Sequence, residues 1–183
     1  MQPIKLGVIG TGLAARRLHW PALKKLSSKF KITMVCNHTE QKARSFARLV
    51  GDVPYVLDYH DLLDNPQIEA VNIILPIEFN HIVTQEALAA GKHVMVEKPL
   101  AYNLDEARKM LSFPEIYPNL VMMVAENFRY KPLLLRIAEI INEGEIGVPY
   151  SALWNNLSMV DDTNPYAKTI WRINHKYSGG FIT

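Results

Sequence analysis

Gly10-Thr11-Gly12-Leu13-Ala14-Ala15 joins a short apolar run, residues 4–9, to a stretch with apolar residues at helical spacing, residues 13–26. In such a junction a first glycine permits a tight turn out of a strand. A second lets the backbone approach a pyrophosphate, and a small residue three positions on lets helix and strand pack closely. Gly10, Gly12 and Ala15 meet those needs and leave Thr11, Leu13 and Ala14 around the anion. The helix N-terminus adds unpaired N–H groups and the positive end of its dipole. The competing reading is a glycine turn with no ligand; the strand before it and the helix after it favour dinucleotide binding.

A site selective for NAD would place Asp or Glu roughly 20 residues beyond the glycines, on the ribose 2′-hydroxyl. The chain has Asn37-His38-Thr39 there, followed by Lys42 and Arg44. No acid repels a 2′-phosphate, and donors and cations are present to hold one. NADP is therefore the expected dinucleotide, with NAD bound through the Asn37 amide as the alternative.

Three further groups fall where strand runs end. Leu75 and Pro76 lead into a helical stretch carrying His81, so their loop would line the cofactor; His81 is otherwise an ordinary helix-surface residue. Glu97-Lys98-Pro99 directly follows a β-rich run, which sends Glu97 and Lys98 to the same edge. A desolvated lysine has a lowered pKa and suits proton transfer to or from a hydroxyl, whereas a surface lysine at a strand end is the bland alternative. Glu126, Asn127 and Arg129 end the next run, either against the nicotinamide end or as caps at a domain junction. Arg172, after Trp171 and ahead of Gly179-Gly180, is a weaker cofactor candidate. No metal-ligand pattern stands out.

The elements that must position these residues alternate. Strand-like runs cover residues 4–10, 31–36, 53–56, 70–75, 93–97 and 120–125. Helical stretches cover 13–26, 39–50, 58–64, 78–90 and 104–111, with Thr39 as a candidate N-cap and Gly91 as a stop. Strands alternating with helices predict a parallel sheet covered on both faces, and continuous apolar strands agree. The expected fold is α/β, a doubly wound parallel (Rossmann) sheet over residues 1–127. Residues 128–183 would begin a second α/β domain with an open sheet: a helix over 132–143, then a partly alternating strand over 149–160.

The 183 residues carry 20 Lys and Arg against 18 Asp and Glu, a net charge of +2 with the signs interspersed. That balance offers no footprint for nucleic acid or a membrane surface. No segment approaches the ~20 apolar residues of a membrane span. The single cysteine, Cys36, excludes an intrachain disulfide and fits a reducing, cytoplasmic setting.

Taken together these segments resemble the glucose–fructose oxidoreductase / inositol dehydrogenase / MocA family. Gly91-Lys92-His93-Val94-Met95-Val96-Glu97-Lys98-Pro99-Leu100-Ala101 is similar to its G-K-H-V-x-x-E-K-P-L-A stretch, and Pro76 with His81 to its P-x-x-x-x-H turn. Glu126-Asn127, Arg129-Tyr130, the Gly144–Gly147 turn, Trp171-Arg172 and Gly179-Gly180 follow in the family's order. The resemblance implies a nicotinamide cofactor, hydride transfer with a sugar, polyol or cyclitol, a catalytic role for Lys98, and homo-oligomers formed through the open sheet. The family's further acid and catalytic His come just after the glycine pair, beyond Thr183, so a fragment or truncated product is expected. A dinucleotide-binding regulator without catalysis is the second reading, and a ligand-free scaffold the third.

Overall fold

The computed structural model describes residues 2–155, 157, 163–166 and 169. Six strands form one sheet: β1 Ile4–Ile9, β2 Phe30–Cys36, β3 Tyr55–Val56, β4 Ala70–Ile73, β5 His93–Val96 and β6 Met122–Val124. Their order is β3-β2-β1-β4-β5-β6, and every neighbouring pair is parallel. The order reverses between β1 and β4, so their carboxyl ends open a crevice at the switch point of a doubly wound sheet.

A π-helical turn, Ala15–His19, runs into α1, Trp20–Lys25; α2 is Glu40–Leu49, α3 Tyr59–Leu63, α4 Asn80–Ala89 and α5 Leu104–Ile116. Side chains alternate across a strand, and two cores follow. Leu6, Val8, Ile32 and Val35 pack with Ala15, Phe46 and Ala47 on one face. Ile9, Val71, Ile73, Val94 and Val96 pack with Leu62, Leu88, Met110 and Phe113 on the other. Gly7 belongs to the second face, where a Cβ would lie 2.7 Å from a Leu62 methyl, so α3 sits directly on bare backbone. Lys92 is 6% exposed, and its ammonium donates to the Asn65 and Ile68 carbonyls at 2.9 Å each, tying the entry of β5 to the loop before β4.

Several boundaries differ from expectation for physical reasons. Thr39 is extended ahead of α2, but its side chain caps nothing; the Asn37 carboxamide oxygen takes the Thr39 N–H at 2.9 Å instead. Asp58 caps α3 by accepting from the His60 N–H. The stretch expected as a helix over 78–90 starts with a 3₁₀ turn, Ile77–Phe79. α5 continues five residues beyond the expected 111, through Pro114. Pro114 removes one helical hydrogen bond and crowds the carbonyl four residues back, while Met110 and Phe113 bury in the core and hold the helix together.

The first compact unit runs from the N-terminus through Ala125, and a second begins at Glu126. In the second, a 3₁₀ turn, Asn127–Tyr130, precedes α6, Pro132–Asn142. Arg136 pairs with Glu139, Glu143 and Glu145 at 3.2, 3.7 and 3.1 Å. The strand expected over 149–160 is not formed in residues 149–155, which have no paired neighbour among the described residues to complete a ladder; most of its remainder lies outside the described residues. Among the described residues no helix is long and apolar enough to cross a membrane, and no cluster of His, Cys, Asp and Glu could hold a metal ion.

Candidate active site

The glycine turn meets the exit of β4 at the switch point. Gly10 has φ +95°, a conformation that favours glycine. A Cβ there would lie 2.1 Å from the Ile74 carbonyl oxygen and 3.2 Å from Leu75. Its N–H donates to the Cys36 carbonyl at 2.9 Å, which ties the turn to β2 as well. Gly12 is the opposite case: exposed, with nothing within 4 Å of a built Cβ, so the space above it is open to a ligand. Leu13 and Ala14 are the half-buried residues that start the helical coil over it.

Thr11 is fully buried between the two glycines, and its hydroxyl oxygen lacks a protein partner. A buried hydroxyl without a partner costs about 1–3 kcal/mol, which a phosphate oxygen would relieve. The Thr11 hydroxyl, the open face of Gly12 and the unpaired N–H groups of the first helical turn therefore fit the pyrophosphate of a dinucleotide.

Asn37, His38 and Thr39 lie between β2 and α2. The Asn37 carboxamide is turned onto Thr39, His38 is exposed, and Lys42 is exposed in the first turn of α2. Arg16, which sequence reasoning passed over, bridges this segment to the glycine turn. Its guanidinium donates to the Thr11 and Lys42 carbonyls at 3.3 Å each and lies 5.5 Å from the Phe46 ring centroid.

Past β4, Leu75 and Pro76 are half-buried beside the glycine turn. His81 stacks on Phe113 of α5, with ring centroids 5.7 Å apart, and so takes part in packing between α4 and α5. Its neighbour Asn80 has the larger local role. It is 1% exposed and donates to the Glu97 and Pro99 carbonyls at 2.9 and 2.8 Å, so α4 clamps the loop leaving β5. The peptide bond between Lys98 and Pro99 is cis.

Glu97 and Lys98 part company at the strand end. Val94 and Val96 face the α4 side, so alternation sends Glu97 toward the π turn. There its carboxylate accepts from His19 Nε2 at 2.7 Å and from the Lys98 N–H at 3.0 Å. Asn72, buried in β4, donates from Nδ2 to His19 Nδ1 at 2.9 Å. Lys98 is exposed, and among the described residues no partner engages its ammonium. Neither His19 nor Asn72 was found by sequence reasoning. The available signal was the lone amide inside the apolar run Ala70-Val71-Asn72-Ile73-Ile74, because a buried amide needs a partner. Glu126 and Asn127 open the second unit, where the Glu126 carboxylate accepts from the Phe128 N–H at 3.4 Å. Arg172 lies outside the described residues.

Residues 4–124 match the model of the oxidoreductase family with an NAD-binding Rossmann fold, the glucose–fructose oxidoreductase / inositol dehydrogenase / MocA group. The chain belongs to that family. Its sequence is 34% identical to the Saccharomyces cerevisiae protein YMR315W, over all of this chain and 52% of that one. A Thermotoga maritima oxidoreductase superposes with a TM-score of 0.86 at 35% identity, covering 98% of this chain and 55% of the other. KijD10, a 3-ketoreductase from Actinomadura kijaniata solved with NADP and TDP-benzene, gives 0.69 at 30% identity, covering 78% of this chain and 43% of its own. The chain thus spans about half the length of the curated family member that it matches along its whole extent. Within this family member, the crevice lined by the glycine turn and the β4 and β5 exits is the candidate NAD(P) site.

Proposed function

We propose that this chain is the cofactor-binding part of an NAD(P)-dependent oxidoreductase acting between an alcohol and a carbonyl of the sugar, polyol or cyclitol type. The observation that carries the reading is the pairing of an open approach over Gly12 with an exposed Lys98, which has no partner among the described residues, at the same carboxyl edge. The bound dinucleotide supplies the hydride acceptor or donor. Gly10, Thr11, Gly12, Leu13 and Ala14 hold its pyrophosphate, while Leu75, Pro76 and His81 belong to the wall beyond β4. Lys98 hydrogen-bonds the reacting oxygen and exchanges a proton with it, which makes Lys98 the catalytic group of this chain. Glu97 serves from behind the loop. Residues 1–127 form the cofactor domain, and 128–183 begin the substrate and oligomerisation domain; Glu126, Asn127 and Arg172 are assigned to cofactor binding on the family resemblance alone.

NADP is the preferred dinucleotide in this reading. The segment Asn37-His38-Thr39 has no carboxylate, and Lys42 and Arg16 bring cations beside it; KijD10 was solved with NADP. A buried thiol, Cys36, suits a reducing, cytoplasmic compartment. Calorimetric titration with NADPH and NADH tests the reading. Tighter binding of NADPH supports the cofactor site and its 2′-phosphate preference, and turnover of a polyol with NADP supports the reaction. Preference for NADH overturns the 2′-phosphate assignment alone, and failure of both with a folded sample overturns the cofactor site.

A further inference from the structure

We infer that His19 is a positioning residue for Lys98, acting through Glu97. The word catalytic for Lys98 rests on the reading above; the coupling itself rests on geometry. The three side chains come from three separate elements. Asn72 projects from the middle of β4, His19 from the π turn, and Glu97 from the end of β5. The His19 and Glu97 side chains are 9% and 16% exposed. A carboxylate withdrawn from water this far is costly unless its oxygens are matched by donors. Both oxygens are matched: one takes His19 Nε2–H, the other the backbone N–H of Lys98.

The direction of the His19 hydrogen bond is fixed. An ionised carboxylate only accepts, so Nε2 carries the hydrogen. With Asn72 donating to Nδ1, Nε2 is left to donate to Glu97. Turning the Asn72 amide over would make Nδ1 a donor too and leave Nε2–H on Glu97 unchanged. His19 therefore orients Glu97 in either arrangement, and Glu97 in turn grips the backbone from which the Lys98 side chain projects. Asn72 Oδ1 is buried without a partner among the described residues, where the amide's one side-chain bond is the one that holds the ring.

The helix is distorted at the same place. The Trp20 N–H reaches the Ala15 carbonyl, five residues back, and Pro21 follows with no N–H of its own. π turns recur at functional sites. Here the π turn ends at His19, two residues ahead of the proline.

Two conservative variants separate positioning from mere packing. Gln at position 19 carries its amide nitrogen to where Nε2 stands, whereas Asn reproduces Nδ1 and stops short of Glu97. Lysine amines labelled by reductive methylation with carbon-13 would be followed by NMR without cofactor, the Lys98 signal being assigned by its loss in Lys98→Arg. The expected result is a wild-type Lys98 chemical shift in His19→Gln and a displaced signal in His19→Asn. Any other pattern in folded samples, including equal displacement in both or none in either, overturns the inference. NADPH titration of the same samples keeps the two questions apart: a wild-type chain that binds no NADPH defeats the oxidoreductase reading and leaves the His19–Lys98 coupling standing.

Discussion

A Cβ placed on Gly10 would lie 2.1 Å from the carbonyl oxygen of Ile74, whereas one placed on Gly12 would touch nothing within 4 Å. The two glycines of one motif are therefore constrained differently: the fold requires the first, whereas nothing in the protein crowds the second. Gly10→Ala adds a backbone clash to a positive φ, a strained state costing about 1–3 kcal/mol before the clash is counted. Chemical denaturation should show that loss, together with loss of NADPH binding. Gly12→Ala should leave stability within about 0.5 kcal/mol and weaken NADPH at least about tenfold, about 1.4 kcal/mol. A normal NADPH affinity for Gly12→Ala would place the pyrophosphate elsewhere.

Lys98 is exposed and holds none of the fold's buried contacts. Lys98→Met should keep the wild-type melting temperature and dinucleotide affinity. Turnover should drop by about 10²–10⁴, the range for losing a general acid–base group. Steady-state kinetics with a polyol substrate check it, and a fully active variant would remove Lys98 from the chemistry.

Asn80 spans two carbonyls of the loop after β5. Asn80→Leu removes both hydrogen bonds from half-buried carbonyls, each worth about 0.5–1.5 kcal/mol. Urea unfolding should report a loss in that range or above. Unchanged stability would mean that the loop is held without the clamp.

Burial pushes the Cys36 thiol up to about 12, with the charges of Asp58 and Asp61 adding to the effect. The folded protein should resist a disulfide reagent at pH 8, and labelling should follow global unfolding. The sign of the linkage is set by proton binding: above an ordinary thiol value of 9.0 the unfolded chain loses the proton first, so stability falls as pH rises from about 9 toward 12. Cys36→Ala should flatten that alkaline decline.

On the surface, the Asp58 carboxylate raises the His60 pKa above its ordinary 6.5 through a 2.6 Å hydrogen bond, with Glu86 reinforcing it. The His60 backbone N–H in turn holds Asp58 below 3.8, with the ring adding to it. His60 contributes fully below 6.5 and loses its contribution as pH rises through its raised value; Asp58 contributes above 3.8 and loses its contribution as pH falls through its lowered value. The pair is therefore strongest between the two ordinary values. Proton NMR of the His60 ring should show a midpoint above 6.5 that Asp58→Asn brings back down.

The element order was legible because each buried strand is a compact apolar run and each crossover begins or ends on a cap or glycine. The glycine turn was legible because its spacing is dictated by one anion. Less legible was whatever depended on parity or on a distant partner. His19 occupies an unremarkable helical position, and only Asn72 and Glu97, 53 and 78 residues away, give it a role. His81 and Asn80 are adjacent in sequence, yet the first turns to Phe113 and the second to the loop of Lys98. The strand expected over 149–160 illustrates the same limit, since alternation alone supplies no neighbour to pair with.

The two-residue period of β5 assigns Glu97 to the hidden side and leaves Lys98 outside. Removing or adding a single residue within His93–Val96 would invert that phase while leaving the motif Glu97-Lys98-Pro99 intact as letters. The ammonium would then be carried toward the buried His19 and the carboxylate turned outward. The motif is thus read by the protein only in frame with its strand, and point substitution is a far gentler route to new activities at this edge than any change of length.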